Sequence, residues 1–159
     1  MSSTPYPEFV SAMDTRDLNR LLEGHPVTAR FYDGTYPCDQ LPCPKTFLSA
    51  MVSNLDDSSL PGSHWVALFV QNANKVYYFD PFGEAPPPGP MSDYLRGFGN
   101  VTRNRCVFQP FDSTVCGAFA VYTLFHLCLG KSFEQVMSQL YRSSDPDGLV
   151  RSFVNSCLR

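Results

Sequence analysis

Cys116 has the sequence setting of a sulfur nucleophile. It opens an apolar run long enough for a helix, where backbone N–H groups and the helix dipole favour a thiolate. Gly117 follows and leaves room for a substrate backbone to approach. A thiol nucleophile needs a base, and the chain has 3 histidines. His126 lies further along the same helix, ~15 Å from Cys116 at ~1.5 Å per residue, and cannot reach it. His25 sits in a Gly24-His25-Pro26 turn. His64 begins a strongly apolar strand, at a strand edge, and is the base by elimination.

A third group should orient the imidazole. If Gln71–Ala73 form a hairpin loop, Val70 faces Asn74 and His64 faces Asp80. Both side chains then share one face of the hairpin, within hydrogen-bond reach. A register shifted by one residue would separate them. An oxyanion hole needs donors aimed at the developing charge. The Cys116 backbone N–H is one, and the Gln109 side-chain amide is placed to be the second. Each residue also has a plainer reading. Cys116 could be a buried thiol, His64 a strand histidine, Asp80 a turn residue before Pro81, and Gln109 a strand-end polar group. Trp65 reads mainly as packing, with shielding or stacking on the imidazole as its alternative.

Certain elements must position these groups. Glu8–Glu23 has helical spacing and is stopped by Gly24-His25-Pro26. Ala29–Leu41 reads as irregular and turn-rich. Thr46–Leu55 reads as a strand. Ser63–Val70 and Lys75–Asp80 are clearer strands around the polar turn Gln71–Asn74. Both faces of the first are apolar, so it is central in its sheet. Glu84–Pro90 is a Pro-rich surface loop. Met91–Phe98 suggests a short helix and Asn100–Phe108 a further strand. Val115–Leu129 is apolar almost all round, which marks a buried helix. Ser132–Arg142 opens with a capping box, and Asp147–Leu158 has an amphipathic helical pattern. Terminal helices around clustered strands predict an α+β fold, with a small central mixed or antiparallel sheet packed on helices.

The 159 residues fit one domain, 1–159, able to bury a core. With 43% hydrophobic and 17% charged residues, the composition is globular. The net charge of −3 gives no basic surface for unaided nucleic-acid binding. The longest apolar stretch is too short for a bilayer span of ~20 residues. The start MSSTPYPEFV carries no secretory pattern. The 6 cysteines include no CxxC pair, so reduced thiols of an intracellular protein are expected, with no metal site.

Three blocks together resemble the adenovirus-type (adenain-like) cysteine proteases of double-stranded DNA viruses and virus-like transposons. They are Gly62-Ser63-His64-Trp65, Tyr78-Phe79-Asp80-Pro81-Phe82-Gly83, and Gln109 followed by Cys116-Gly117. The order His, acid, Gln, Cys is shared with proteases that process SUMO-like proteins. The segment Tyr32-Asp33-Gly34-Thr35-Tyr36-Pro37 is weakly similar to the viral branch. The resemblance runs from about Phe31 to Leu129. It implies a papain-related fold with Cys116 as nucleophile, His64 as base, Asp80 as orienting acid and Gln109 in the oxyanion hole. It also implies viral capsid or core precursor proteins as substrates, no bound cofactor, and action in the virion and host nucleus. Family members are activated by a capsid-derived peptide, sometimes disulfide-tethered, or by DNA. Cys106 is the nearest tether but its spacing fits poorly, and the net charge argues against DNA. A deconjugating protease for ubiquitin-like modifiers and a catalytically silent interaction module remain as alternatives.

Overall fold

A computed structural model describes residues 13–56, 64–110 and 114–157. The first helical pattern becomes α1, Thr15–Glu23, its expected opening residues lying outside the described ones. Asp14 and Asp17 form a capping box at its start. Gly24 closes it, donating to the Arg20 carbonyl at 3.0 Å. Pro26 does more than stop this helix. It opens a short second one, α2, Pro26–Ala29. At the first helical position its missing N–H leaves no bond unmade.

The segment expected to be irregular holds strand β1, Tyr32–Pro37. Asp33, Gly34 and Pro37 hide the strand signal in sequence. An edge strand tolerates them, because one of its sides makes no ladder, and the register shifts between Tyr32 and Gly34. Strand β2, Ser49–Asn54, is buried throughout. Strands β3, Trp65–Asn72, and β4, Lys75–Phe79, form the expected hairpin. Its turn is tighter than expected, since Asn72 already pairs with Lys75. Helix α3, Pro90–Arg96, precedes β5, Asn100–Arg103. The strand expected as far as Phe108 therefore stops at Arg103. Helices α4, Cys116–Cys128, α5, Phe133–Arg142, and α6, Pro146–Cys157, complete the described chain. Ser132 caps α5 in the expected capping box with Gln135.

The sheet runs β1-β2-β3-β4-β5. Its two outer pairs are parallel and its two inner pairs antiparallel. The architecture is the mixed α+β one that the sequence predicts. Strand β3 is central, and both its faces are covered. Ala67 and Phe69, with Phe79 from β4, join the larger core with α1, α4, α5 and α6. Val66, Leu68 and Val70, with Val76 and Tyr78, pack on Met91, Leu95 and Phe98 around α3. Helix α4 is buried along most of its length, including Ala118, Phe119, Ala120 and Leu124. That wrapping keeps the start of α4 fixed against the sheet.

Leu124 has no exposed surface. Leu124→Ala should cost about 2–5 kcal/mol, the range for emptying a buried leucine site. The shift of the urea midpoint at constant slope measures it.

Candidate active site

The β3–β4 register decides whether His64 and Asp80 meet. Leu68 pairs with Tyr78, and Ala67 with Phe79. Continuing that ladder puts Val66 opposite Asp80 and His64 opposite Phe82. The expected pairing of His64 directly with Asp80 is therefore off by two residues. The cause is the two-residue turn and the register shift between Val70 and Asn72. A shift of two preserves the face, because side chains alternate with period two. Asp80 is then the diagonal neighbour, and His64 Nε2 lies 2.7 Å from its Oδ1. Against the carboxylate, Nε2–H is the donor. The residue directly opposite, Phe82, stacks on the imidazole with centroids 4.8 Å apart. The shielding ring is thus Phe82. Trp65 instead anchors the strand start, its indole N–H donating to the Met13 carbonyl at 2.9 Å.

Cys116 is the first residue of α4 and is nearly buried. Val115 before it is the cap position and makes no side-chain cap hydrogen bond. The Trp65 backbone N–H points at the sulfur, with N–Sγ 3.5 Å. Cys116 is close enough to His64 to raise the pKa of its ring. Since Nε2 serves Asp80, Nδ1 is the ring atom that faces the thiol. Gly117 has a different reason from the one expected. A Cβ there would lie 3.0 Å from Met13 Cβ, so the missing side chain makes room for Met13 rather than for substrate.

The loop after β4 ties Asp80 to the segment that leads to Cys116. Asp80 Oδ1 also accepts the Phe82 N–H at 2.8 Å. The Pro81 carbonyl accepts two N–H groups, from Phe108 at 2.9 Å and Gln109 at 3.1 Å. Gln109, only 1% exposed, is thus fixed by the loop that carries Asp80. Gly83 has φ +70°, and a Cβ on it would fall 2.6 Å from the carbonyl oxygens of Arg105 and Cys106. The side chain of buried Asn104 bonds Asp80's main chain: Oδ1 accepts its N–H at 3.0 Å and Nδ2 donates to its carbonyl at 2.6 Å.

Three contacts escaped sequence reasoning. The Phe82 ring and the Trp65 N–H lay inside noted motifs without a role. Asn104 carried no signal until β4 and β5 were known to be parallel.

The other histidines are engaged elsewhere. His25 Nδ1 accepts the Val27 N–H at the start of α2, and His126 Nδ1 donates to the Tyr122 carbonyl. The 6 cysteines are all free thiols. Burial pushes Cys128 up to about 12 and raises Cys157. Among the described residues, no cluster of His, Cys, Asp and Glu is arranged to hold a metal ion. No described helix is long and apolar enough to cross a membrane.

Burial pulls the pKa of His64 down, but its hydrogen bonds and charge interactions with Asp80 and Cys116 outweigh this and raise it to about 9. The raised value favours the protonated ring at neutral pH.

No protein-family model matches the chain. A protein of Acanthamoeba polyphaga mimivirus named as a thiol protease is 27% identical over 118 residues, covering 68% of this chain and 36% of that protein. The chain thus spans about a third of that relative's length. Among solved structures, the ASFV protease superposes with a TM-score of 0.63 at 15% identity, over 91% of this chain and 67% of that one. The likeness to the ASFV protease is one of fold, extending over nearly the whole of this chain. A central domain from a Legionella pneumophila protein gives 0.53 at 14% identity, over 92% of this chain and 96% of that one. ChlaDub1 of Chlamydia trachomatis gives 0.50 at 19%, over 94% and 75%. The resemblance to viral-type cysteine proteases, read from three short motifs, is borne out by the mimivirus relative and by this fold.

The raised pKa sets two pH expectations. The value lies above the ordinary 6.5, so protonated His64 stabilises the fold fully below about pH 6.5, and this contribution is lost as pH rises through about 9. The alkaline limb of kcat/KM should fall near pH 9 for the same reason. Asp80→Asn removes a raising partner, so the limb should move to lower pH. It should also lower kcat, by less than the ~10⁴-fold of the analogous serine-protease change, because the α4 N-terminus still assists the sulfur. Kinetics across the pH range and an NMR titration of the His64 ring check both.

Proposed function

We propose that the protein is a cysteine endopeptidase acting on viral capsid or core precursor proteins. The observation that carries this reading is the single chain of contacts from Asp80 through the His64 ring to the Cys116 sulfur at a helix start. In the reaction, Cys116 Sγ gives its proton to His64 Nδ1 and attacks the scissile carbonyl carbon. The tetrahedral oxyanion takes hydrogen bonds from the Cys116 backbone N–H and the Gln109 side-chain amide. His64 then returns the proton to the leaving amine, and a thioester on Cys116 remains. Water, deprotonated by the same imidazole, hydrolyses the thioester and regenerates the thiol. Asp80 keeps Nε2–H in place and balances the imidazolium charge. Phe82 covers one ring face and limits water access.

The viral substrate class is supported by the mimivirus relative and the likeness to the ASFV protease. A second reading, removal of ubiquitin-like modifiers, is favoured by the likeness to ChlaDub1. A capsid-derived peptide is the activator this reading favours. The net charge of −3 argues against capture of duplex DNA.

Cys116→Ala should abolish peptide cleavage and leave the circular-dichroism spectrum unchanged. Wild-type protein should cut capsid-precursor peptides, assayed with and without added capsid peptide or DNA, in preference to modifier–fluorophore conjugates. Turnover retained in folded Cys116→Ala would remove the nucleophile, and a preference for the conjugates would establish the second reading.

A further inference from the structure

The pairing of β4 with β5 ends at Tyr78 and Arg103. Asp80 lies beyond this last rung, yet its main chain is held as if the ladder continued. The Asn104 amide presents one acceptor and one donor, as a peptide unit does, and spends both on Asp80. Its Nδ2 also lies 3.4 Å from the Cys106 carbonyl. The side chain thus substitutes for a strand rung. That lets the main chain swing away after Arg103 and bring Phe108 and Gln109 to the Pro81 carbonyl.

We propose that Asn104 is a positioning residue, which fixes the peptide units on both sides of Asp80 and thereby the direction in which its carboxylate meets His64. This rests on the peptidase reading of Cys116 and His64. Asn104 touches neither the sulfur nor the imidazole in any contact the structure records, so it acts through Asp80. At 5% exposure, water does not readily replace it. A truncated side chain strands the Asp80 N–H in a buried place, whereas the Asp80 carbonyl keeps the Gly83 N–H at 2.8 Å. The stranded N–H is relieved by rotating the Asp80 peptide. Rotation turns Oδ1 away from His64 Nε2 and from the Phe82 N–H together, because both bonds end on that one oxygen. Arg103 reinforces the same junction, its Nη1 donating to the carbonyls of Gly83 and Asn104.

Two variants test this. Asn104→Ala removes both bonds to Asp80 and the one to the Cys106 carbonyl. Asn104→Asp keeps an acceptor for the Asp80 N–H and loses the donor to the Asp80 carbonyl. The readouts are kcat and KM on a peptide substrate, and the pH profile of Cys116 alkylation by iodoacetamide, followed by peptide mapping so that the exposed Cys43 and Cys106 are counted separately. In Asn104→Ala, kcat should fall roughly 10- to 100-fold, the scale of a misplaced catalytic group, with KM changed far less. The histidine limb of the alkylation profile should move to lower pH, and the kcat of Asn104→Asp should lie between the two, its added carboxylate opposing the shift of the limb. A merely structural role would lower the melting temperature and leave the limb where it is. Circular dichroism establishes folding, and Asn104→Asp carries the test if Asn104→Ala does not fold. Folded variants with the wild-type limb and kcat would overturn the inference alone. Wild-type Cys116 that alkylates like Cys43, with no histidine limb, would remove the peptidase reading and this inference with it.

Discussion

The Pro81 carbonyl, accepting N–H groups from both Phe108 and Gln109, joins the two halves of the site. On one side is the β3–β4 hairpin, which carries His64 and Asp80. On the other is the segment that leads from β5 to α4 and carries Gln109 and Cys116. Neither half can place a catalytic set alone. The junction is protected on both flanks. Phe108 is buried and stacks on Phe79, with centroids 6.3 Å apart. Gly83 lets the two loops touch at a distance that no side chain would allow. Close backbone contact of this kind needs a glycine, and the positive φ at Gly83 needs one as well.

The hairpin supplies a second constraint, through burial rather than hydrogen bonding. Both faces of β3 are covered, one by α4 and its neighbours and the other by α3. A one-residue slip would exchange Val66, Leu68 and Val70 with Ala67 and Phe69. Two differently shaped cores would then both be misfilled, so the face of every residue in the hairpin is strongly specified. His64 and Asp80 inherit that specification. The bulge near Gln71 moves their pairing by two residues without changing their face. Their interaction becomes diagonal, and the directly opposed position is left for Phe82 to cover the ring.

The electrostatics follow from this packing. An imidazole in a nearly closed site would ordinarily lose its proton more easily. Here a carboxylate on one nitrogen and a sulfur on the other outweigh that penalty, and the pKa rises to about 9. The Trp65 N–H and the start of α4 place further partial positive charge at the sulfur. Phe82 keeps one side of the pair apolar, which strengthens each of these interactions by excluding water.

Residue chemistry and periodicity determined a good deal from the sequence alone. Thiol, imidazole, carboxylate and amide types pick out Cys116, His64, Asp80 and Gln109. The alternation along β3 requires His64 and Val66 to share a face, and the apolar circumference of α4 requires it to be buried. These are local properties, set by side-chain type and by the repeat of strand or helix. The tertiary structure decided what depends on segments distant in the chain. Trp65 reaches Cys116 across 51 positions and Asn104 reaches Asp80 across 24. Gly117 is small to admit Met13, not a substrate. Strand β1 was hidden because an edge strand tolerates Gly and Pro, and β5 stops early because its chain must leave the sheet to reach Pro81. Such contacts are settled by which surfaces pack together, and no repeat in the sequence encodes the partner of a single side chain.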